Sequence, residues 1–151
     1  MNPGKKNGRY KRIYTQLQVL LNEIPWPAAK QSTIAAVLHH KLDHYFWTGF
    51  YLLTEGKLIV GPYQGPVACI ELKKNTGVCW AAINQGNTIV VPDVHRFPGH
   101  IACDPRSASE IVVPLKNTNG IITGVLDVDS NVSNAFDDTD ARWLEKIIQL
   151  I

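Results

Sequence analysis

The sequence predicts an α+β domain, a largely antiparallel sheet with helices packed against it, and three observations carry that prediction. Apolar residues fall at helical spacing near both ends of the chain. Between them, short runs rich in branched and aromatic residues are joined by polar Gly- and Asn-bearing turns, so hairpins dominate. The chain has 151 residues, 45% hydrophobic and 19% charged, which is the size and composition of one globular domain with a real core.

Residues 1–9 read as a flexible basic tail leading into the first helix, because Lys5, Lys6, Arg9, Lys11 and Arg12 cluster there. Ile13, Leu17, Leu20, Leu21 and Ile24 then predict a helix over about Tyr10–Glu23, stopped by Pro25-Trp26-Pro27. A second helix runs from about Ala28 to Leu42, with Ile34, Val37, Leu38 and Leu42 facing inward. His39, His40 and His44 lie at or near its end, where histidines commonly meet exposed carbonyls and the helix dipole.

Trp47–Leu53 reads as a strand that turns through Thr54-Glu55-Gly56-Lys57 into Leu58-Ile59-Val60. On it Trp47 and Tyr51 share a face, a placement that by itself suits core packing. Gly61–Pro66 reads as a loop, Val67–Lys73 as a strand carrying Cys69, and Gly77 as the start of a short helix carrying Cys79. Thr88–Val91 is the next strand. Glu110–Leu115 and Ile121–Val128 form a second hairpin about Asn117-Thr118-Asn119-Gly120, and Asp137 or Asp138 caps a C-terminal helix with Trp143, Leu144, Ile147, Ile148 and Ile151 inward. No internal repeat or second domain is visible.

The composition also narrows function. A net charge of +2 is too small to argue for nucleic acid, and no apolar run approaches the roughly 18 residues of a membrane span. The basic start is followed by an amphipathic pattern and no continuous apolar stretch, so a secretory signal is not indicated and a cytoplasmic location is expected. Three cysteines cannot all pair within one chain, a pattern that suits a reactive thiol in a reducing compartment.

The chemistry centres on the loop Asp93–Asp104. Cys103 lies on it, flanked by His100 and Asp104, where a thiol can be solvated and ionised, and the thiolate is the reactive form. Cys79, near a helix N-terminus that lowers a thiol pKa, is a second candidate. Cys69, between Ala68 and Ile70, also reads as a small core residue. Glu110 opens one strand while Asp127 and Asp129 close another, two apart and on one side. If those strands are neighbours, three carboxylates meet near Cys103, raising at least one carboxyl pKa and favouring a cationic ligand group. Caps and turns account for the same acids without chemistry. His95, His100, Cys103 and Asp104 are acceptable zinc ligands, but no paired-ligand spacing backs them, so no metal is expected.

Several stretches together resemble one family. They are Gly61–Cys69 (GPYQGPVAC), Gly77-Val78-Cys79, Asp93-Val94-His95, Gly99–Asp104 (GHIACD), Ser109–Pro114 (SEIVVP) and Gly124–Ser130 (GVLDVDS). The pattern is similar to the free methionine-(R)-sulfoxide reductases, which are built on a GAF domain, and it runs in order from about Trp47 to the C-terminus. The resemblance implies a single GAF domain over 1–151 that reduces free L-methionine-(R)-sulfoxide to L-methionine. Cys103 would be the nucleophile, leaving a sulfenic acid that Cys69, or alternatively Cys79, resolves as a disulfide. Thioredoxin would then reduce that disulfide as external reductant, with no bound cofactor. Glu110, Asp127 and Asp129 match the acidic pocket residues, one serving as proton donor and the others receiving the α-ammonium of the free amino acid. Trp47 and Tyr51 match positions lining the pocket around the methyl and sulfoxide, in place of a purely core role. Trp80 departs from the pattern, since a small residue usually follows Cys79. The resemblance and the amphipathic terminal helices make a homodimer plausible. The alternative is a non-catalytic GAF module that binds or senses a small molecule.

Overall fold

The computed structural model describes residues 1–100 and 103–151. Ile101 and Ala102, part of the Gly99–Asp104 motif, lie outside the described residues. Helices α1 (Pro3–Leu20) and α2 (Pro27–Lys41) precede strands β1 (Trp47–Thr54), β2 (Lys57–Gln64) and β3 (Glu71–Leu72). Helix α3 (Gly77–Gln85) leads to β4 (Ile89–Val91), a 3-10 turn at Val94–Arg96, β5 (Ser109–Lys116), β6 (Ile122–Ser130) and helix α4 (Asp138–Ile147). The sheet has six strands in the order β3-β2-β1-β6-β5-β4, and every neighbouring pair is antiparallel.

Alternation divides the sheet into two faces. Phe50, Ile111, Val113, Leu115, Leu126 and Val128 point to one side, where they pack with Ile13, Leu17, Ile34, Leu38, Leu144 and Ile147 of α1, α2 and α4. Their partners on the same strands point to the other face: Trp47 and Tyr51 on β1, Val112 on β5, Val125 on β6, all against Val78, Cys79 and Ala82 of α3. The α+β architecture and its hairpins are as the sequence predicts. The amphipathic faces of α1 and α4 pack together on the sheet through Ile13, Leu17, Leu144 and Ile147.

Three expectations are corrected. The first nine residues do not form a flexible tail: α1 begins at Pro3, with Asn2 as N-cap accepting from the Lys5 amide at 2.8 Å. Lys6 is only 4% exposed, because its ammonium reaches Asp140 at 2.6 Å and Asp137 at 3.3 Å at the start of α4. Gly61–Gln64 extends β2 rather than forming a loop. β3 pairs with β2 only at Leu58 and Ile59, so Pro62 needs no second ladder partner for its missing N–H. Finally, Cys69 is not on a strand, since β3 is confined to Glu71–Leu72.

Candidate active site

The register of the three central strands builds the floor of the site. Trp47 on β1 faces Asp129 on β6, which faces Glu110 on β5. In the next row Gly49 faces Asp127, which faces Val112. The strands carrying Glu110, Asp127 and Asp129 are thus neighbours, and the condition for three carboxylates to meet is fulfilled. All three lie on the α3 face and line one cavity of about 210 Å³, together with Trp47, Tyr51 and all three cysteines.

The aromatic wall depends on a missing side chain. The β1–β2 register shifts between Gly49 and Tyr51. A Cβ at Gly49 would run into Tyr63 and the Trp47 ring. Without it, Trp47 stacks between Tyr51 and Tyr63 at centroid distances of 5.7 and 5.3 Å. The Trp47 indole donates to the Pro66 carbonyl at 3.0 Å and the Tyr51 hydroxyl to the Cys69 carbonyl at 2.9 Å. These two bonds tie the segment bearing Cys69 to β1. Tyr63 was not singled out from the sequence, because it lies in a stretch that reads there as loop.

Cys69 and Cys103, separated by 34 positions, are joined by a disulfide across the cavity, with their Cα atoms 5.6 Å apart. The Cys103 end is held by its neighbours. Arg106 clasps the Asp104 carboxylate through Nε at 2.9 Å and Nη2 at 2.7 Å, and its guanidinium lies 4.9 Å over the Phe46 ring. Those hydrogen bonds from Arg106 hold the Asp104 carboxyl down at about 2. Cys79, the third residue of α3, is a free thiol and 4% exposed. Burial first, then the charges of Asp127, Glu110 and Asp129, push its pKa well up, against the lowering expected from a helix N-terminus. Trp80 is buried beside it and donates to the Leu72 carbonyl at 3.2 Å, so the indole packs in the core and is held there.

The carboxylates are buried without a strong counter-charge. Burial and the neighbouring Asp129 raise the Glu110 pKa from 4.5 to about 8. Burial and Glu110 push the Asp127 pKa well up, and its Oδ1 is buried with no hydrogen-bond partner among the described residues. Asp129, half-buried, is also pushed up by burial and by Asp127. The nearest basic group to Glu110 is His100, with Nε2 at 3.7 Å, and burial lowers the imidazole pKa so that the neutral ring is favoured. At neutral pH this floor holds protons that a cationic ligand would displace, and Glu110 is a carboxyl able to donate one.

The zinc-type set drawn from His95, His100, Cys103 and Asp104 is not assembled, since Cys103 is bonded to Cys69 and Asp104 to Arg106. Among the described residues the group with metal-ligand spacing is Cys79, Glu110 and Asp127, whose ligand atoms lie within 4.8 Å of one another. The distal histidines are structural: His39 Nδ1 meets Thr48 Oγ1 at 3.1 Å and His44 Nε2 meets Asp140 at 3.0 Å. Among the described residues no helix is long and apolar enough to cross a membrane.

Comparison with known proteins gives the family of the chain. The GAF domain model matches residues 32–151. GAF domain-containing protein A of Dictyostelium discoideum is 43% identical, with all of this chain and 95% of that protein covered. Free methionine-R-sulfoxide reductase of Escherichia coli is 43% identical over 80% of this chain and 72% of its own length. The X-ray structure of free methionine-R-sulfoxide reductase from Neisseria meningitidis, in complex with its substrate, superposes with a TM-score of 0.91 at 39% identity, covering 96% of this chain and 87% of that one. The chain belongs to the GAF-domain family and, within it, to the free methionine-R-sulfoxide reductases.

Proposed function

We propose that this protein reduces free L-methionine-(R)-sulfoxide to L-methionine, with Cys103 as nucleophile. The observation that carries the reading is the Cys69–Cys103 disulfide over a cavity floored by three uncompensated carboxyls. The Cys103 thiolate attacks the sulfoxide sulfur while Glu110, protonated at neutral pH, gives its proton to the sulfoxide oxygen. The oxygen then passes as hydroxyl from the substrate sulfur to Cys103 Sγ while the bond between the two sulfurs breaks, so methionine leaves and Cys103 is left as the sulfenic acid. The Cys69 thiol then displaces that oxygen as water, forming the disulfide. An external dithiol, thioredoxin in our reading, returns both sulfurs to thiols, so no resident cofactor is needed. Such a cycle fits a reducing, cytoplasmic setting.

The α-ammonium of the free amino acid supplies the positive charge that Asp127 and Asp129 lack. Peptide-bound methionine sulfoxide has no such group, which is the physical basis for choosing the free form. Trp47 and Tyr51 flank the sulfoxide and its methyl group. Cys79, buried and held as a thiol, serves as a wall of the pocket and at most a secondary resolving group. A pocket that only senses a ligand has no need of a disulfide joined to its nucleophilic loop.

The test is consumption of dithiothreitol with L-methionine-(R)-sulfoxide, the S epimer in parallel and Cys103→Ser as control. Turnover confined to the R epimer and lost in the variant is the expected result. A folded, reduced protein that turns over neither epimer would return the site to the binding-module reading.

A further inference from the structure

We infer that Cys79, Glu110 and Asp127 form a binding site for one divalent ion of the zinc class (zinc, cobalt or cadmium). The inference goes beyond the reductase reading. Ion binding stands on the geometry of three side chains, and only its competition with substrate draws on that reading.

Each ligand comes from a regular element. Glu110 on β5 and Asp127 on β6 are diagonal neighbours, since Glu110 faces Asp129 and Asp127 faces Val112. Cys79, the third residue of α3, packs over that face of the sheet. A carboxylate oxygen from each acid and the Cys79 sulfur all lie within 4.8 Å of one another. In a tetrahedral zinc site, with zinc–sulfur about 2.3 Å and zinc–oxygen about 2.1 Å, such atoms stand about 3.5 Å apart. Ligation therefore needs a closure of little more than about 1 Å, within reach of side-chain torsions.

Acids gathered at a substrate site do not by themselves mark a metal. The second observation is the Asp127 side chain, which lines the cavity at 6% exposure. It already shares hydrogen bonds with Glu110 and Cys79, yet its Oδ1 is buried with no partner among the described residues. That oxygen is a buried acceptor beyond what the trio itself satisfies. The Cys79 sulfur is likewise buried among these acids, and the proposed cycle gives it no required step.

Donor chemistry selects the ion. A thiolate and two carboxylates bring three negative charges, and the basic group beside them is the His100 imidazole, 3.7 Å from Glu110. Sulfur favours zinc, cobalt or cadmium over magnesium and calcium, which take six or more oxygens. Three protein ligands leave a fourth position open to the cavity. The step is coordination without redox: the ion replaces the thiol and carboxyl protons, which pass to solvent. It also occupies the Asp127 carboxylate that the α-ammonium needs, so ion and substrate exclude each other.

The test uses the disulfide form, in which Cys79 is the free thiol, so a sulfur-to-cobalt charge-transfer band reports that residue. Titration with cobalt chloride is expected to give the band at one ion per chain, abolished by zinc and unaffected by a large excess of magnesium. Asp127→Asn and Glu110→Gln should each weaken cobalt at least ~10-fold, the loss that even an outer-shell partner brings. Thermal melts check that both variants are folded, and the wild-type band with its zinc and magnesium arms stands without them. No band, unchanged affinity in either folded variant, or displacement by magnesium as by zinc would each overturn the site. Cys69→Ser/Cys103→Ser, which keeps Cys79 and has no nucleophile to turn substrate over, tests the competition. Saturating L-methionine-(R)-sulfoxide should raise its cobalt dissociation constant at least ~10-fold. Simultaneous binding without that loss would overturn the assignment of Asp127 to the ion. Cobalt binding as expected, with no substrate binding by calorimetry, would instead strike the reductase reading and leave the metal site standing.

Discussion

Two groups of buried carboxyls lie on opposite faces of the same sheet, and they are treated in opposite ways. At Asp140 the protein supplies every partner: Lys6 at 2.6 Å, His44 at 3.0 Å, the Tyr10 hydroxyl and the Asp137 amide at 2.8 Å. Although burial alone would raise it, these bonds hold the Asp140 pKa down at about 2. At Glu110, Asp127 and Asp129 the hydrogen-bond partners are one another, Cys79 and Ser107, none of them cationic, and all three carboxyls are pushed up. A buried charge that is paired organises the fold, whereas one left unpaired costs stability until a ligand arrives. The Asp140 cluster joins α1 to the cap of α4. The other cluster is shaped for a cation that is not part of the chain.

The largest expected effect breaks the first cluster. Asp140→Asn leaves the Lys6 ammonium buried without its main counter-charge, and loss of one partner of a buried pair costs about 3–5 kcal/mol. Denaturant unfolding should show that loss, while the molecules that remain folded keep their turnover. Asp127→Asn should do the reverse. It removes a buried carboxyl whose Oδ1 has no partner among the described residues, so unfolding stability stays level or rises. Substrate binding weakens by about 2 kcal/mol or more, read as a KM raised ~30-fold. A KM unchanged by Asp127→Asn would remove the cluster from the substrate site.

The two regions also differ in the sign of their pH dependence. Glu110 has a folded pKa near 8 against 4.5 ordinarily, so between those values the folded protein binds more protons than the unfolded chain. Stability of the ligand-free protein should therefore fall as pH rises from about 5 to 8, by a few kcal/mol at roughly 1.4 kcal/mol per unit. Glu110→Gln should flatten that slope. Asp140 acts oppositely: its contribution is present above 3.8 and lost as pH falls toward 2. Thermal melts across pH 2–9 separate the two limbs.

A smaller effect tests the aromatic wall. Gly49→Ala places a methyl against Tyr63 and Trp47, with an overpacking cost of about 1–3 kcal/mol. Because the strain falls on the Trp47 stack, KM should rise more than it does for an alanine elsewhere on β1. Equal effects would mean that the stack is only structural.

Much of this contrast was legible in the sequence, and the division has a physical cause. Period-2 alternation puts Glu110, Asp127 and Asp129 on one face once β5 and β6 pair, and the Asn117–Gly120 turn dictates that pairing. The meeting of the three carboxyls was therefore one of two readings that spacing left open, the other being caps and turns. The Asp140 cluster could not be foreseen. Lys6 and Asp140 lie 134 positions apart, and a basic N-terminal run looks the same whether it is solvated or inserted into a fold. For the same reason the pairing of Cys69 with Cys103 came only from family resemblance, since spacing does not say which of two thiols a loop will reach. Pro62 and Gly61 looked like a break because composition does not reveal that β2 is an edge there.

The most direct test of the central claim uses Cys103→Ser, which binds without turnover, and titrates it by calorimetry at pH 7.5. The ligands are free L-methionine-(R)-sulfoxide and its N-acetyl derivative, which differ in the ammonium charge. If the carboxyl cluster awaits a cation, the N-acetyl compound binds at least ~30-fold more weakly, and binding of the free amino acid releases protons. Equal affinities with no proton release would contradict the account, because the buried acids would then have no ligand charge to answer.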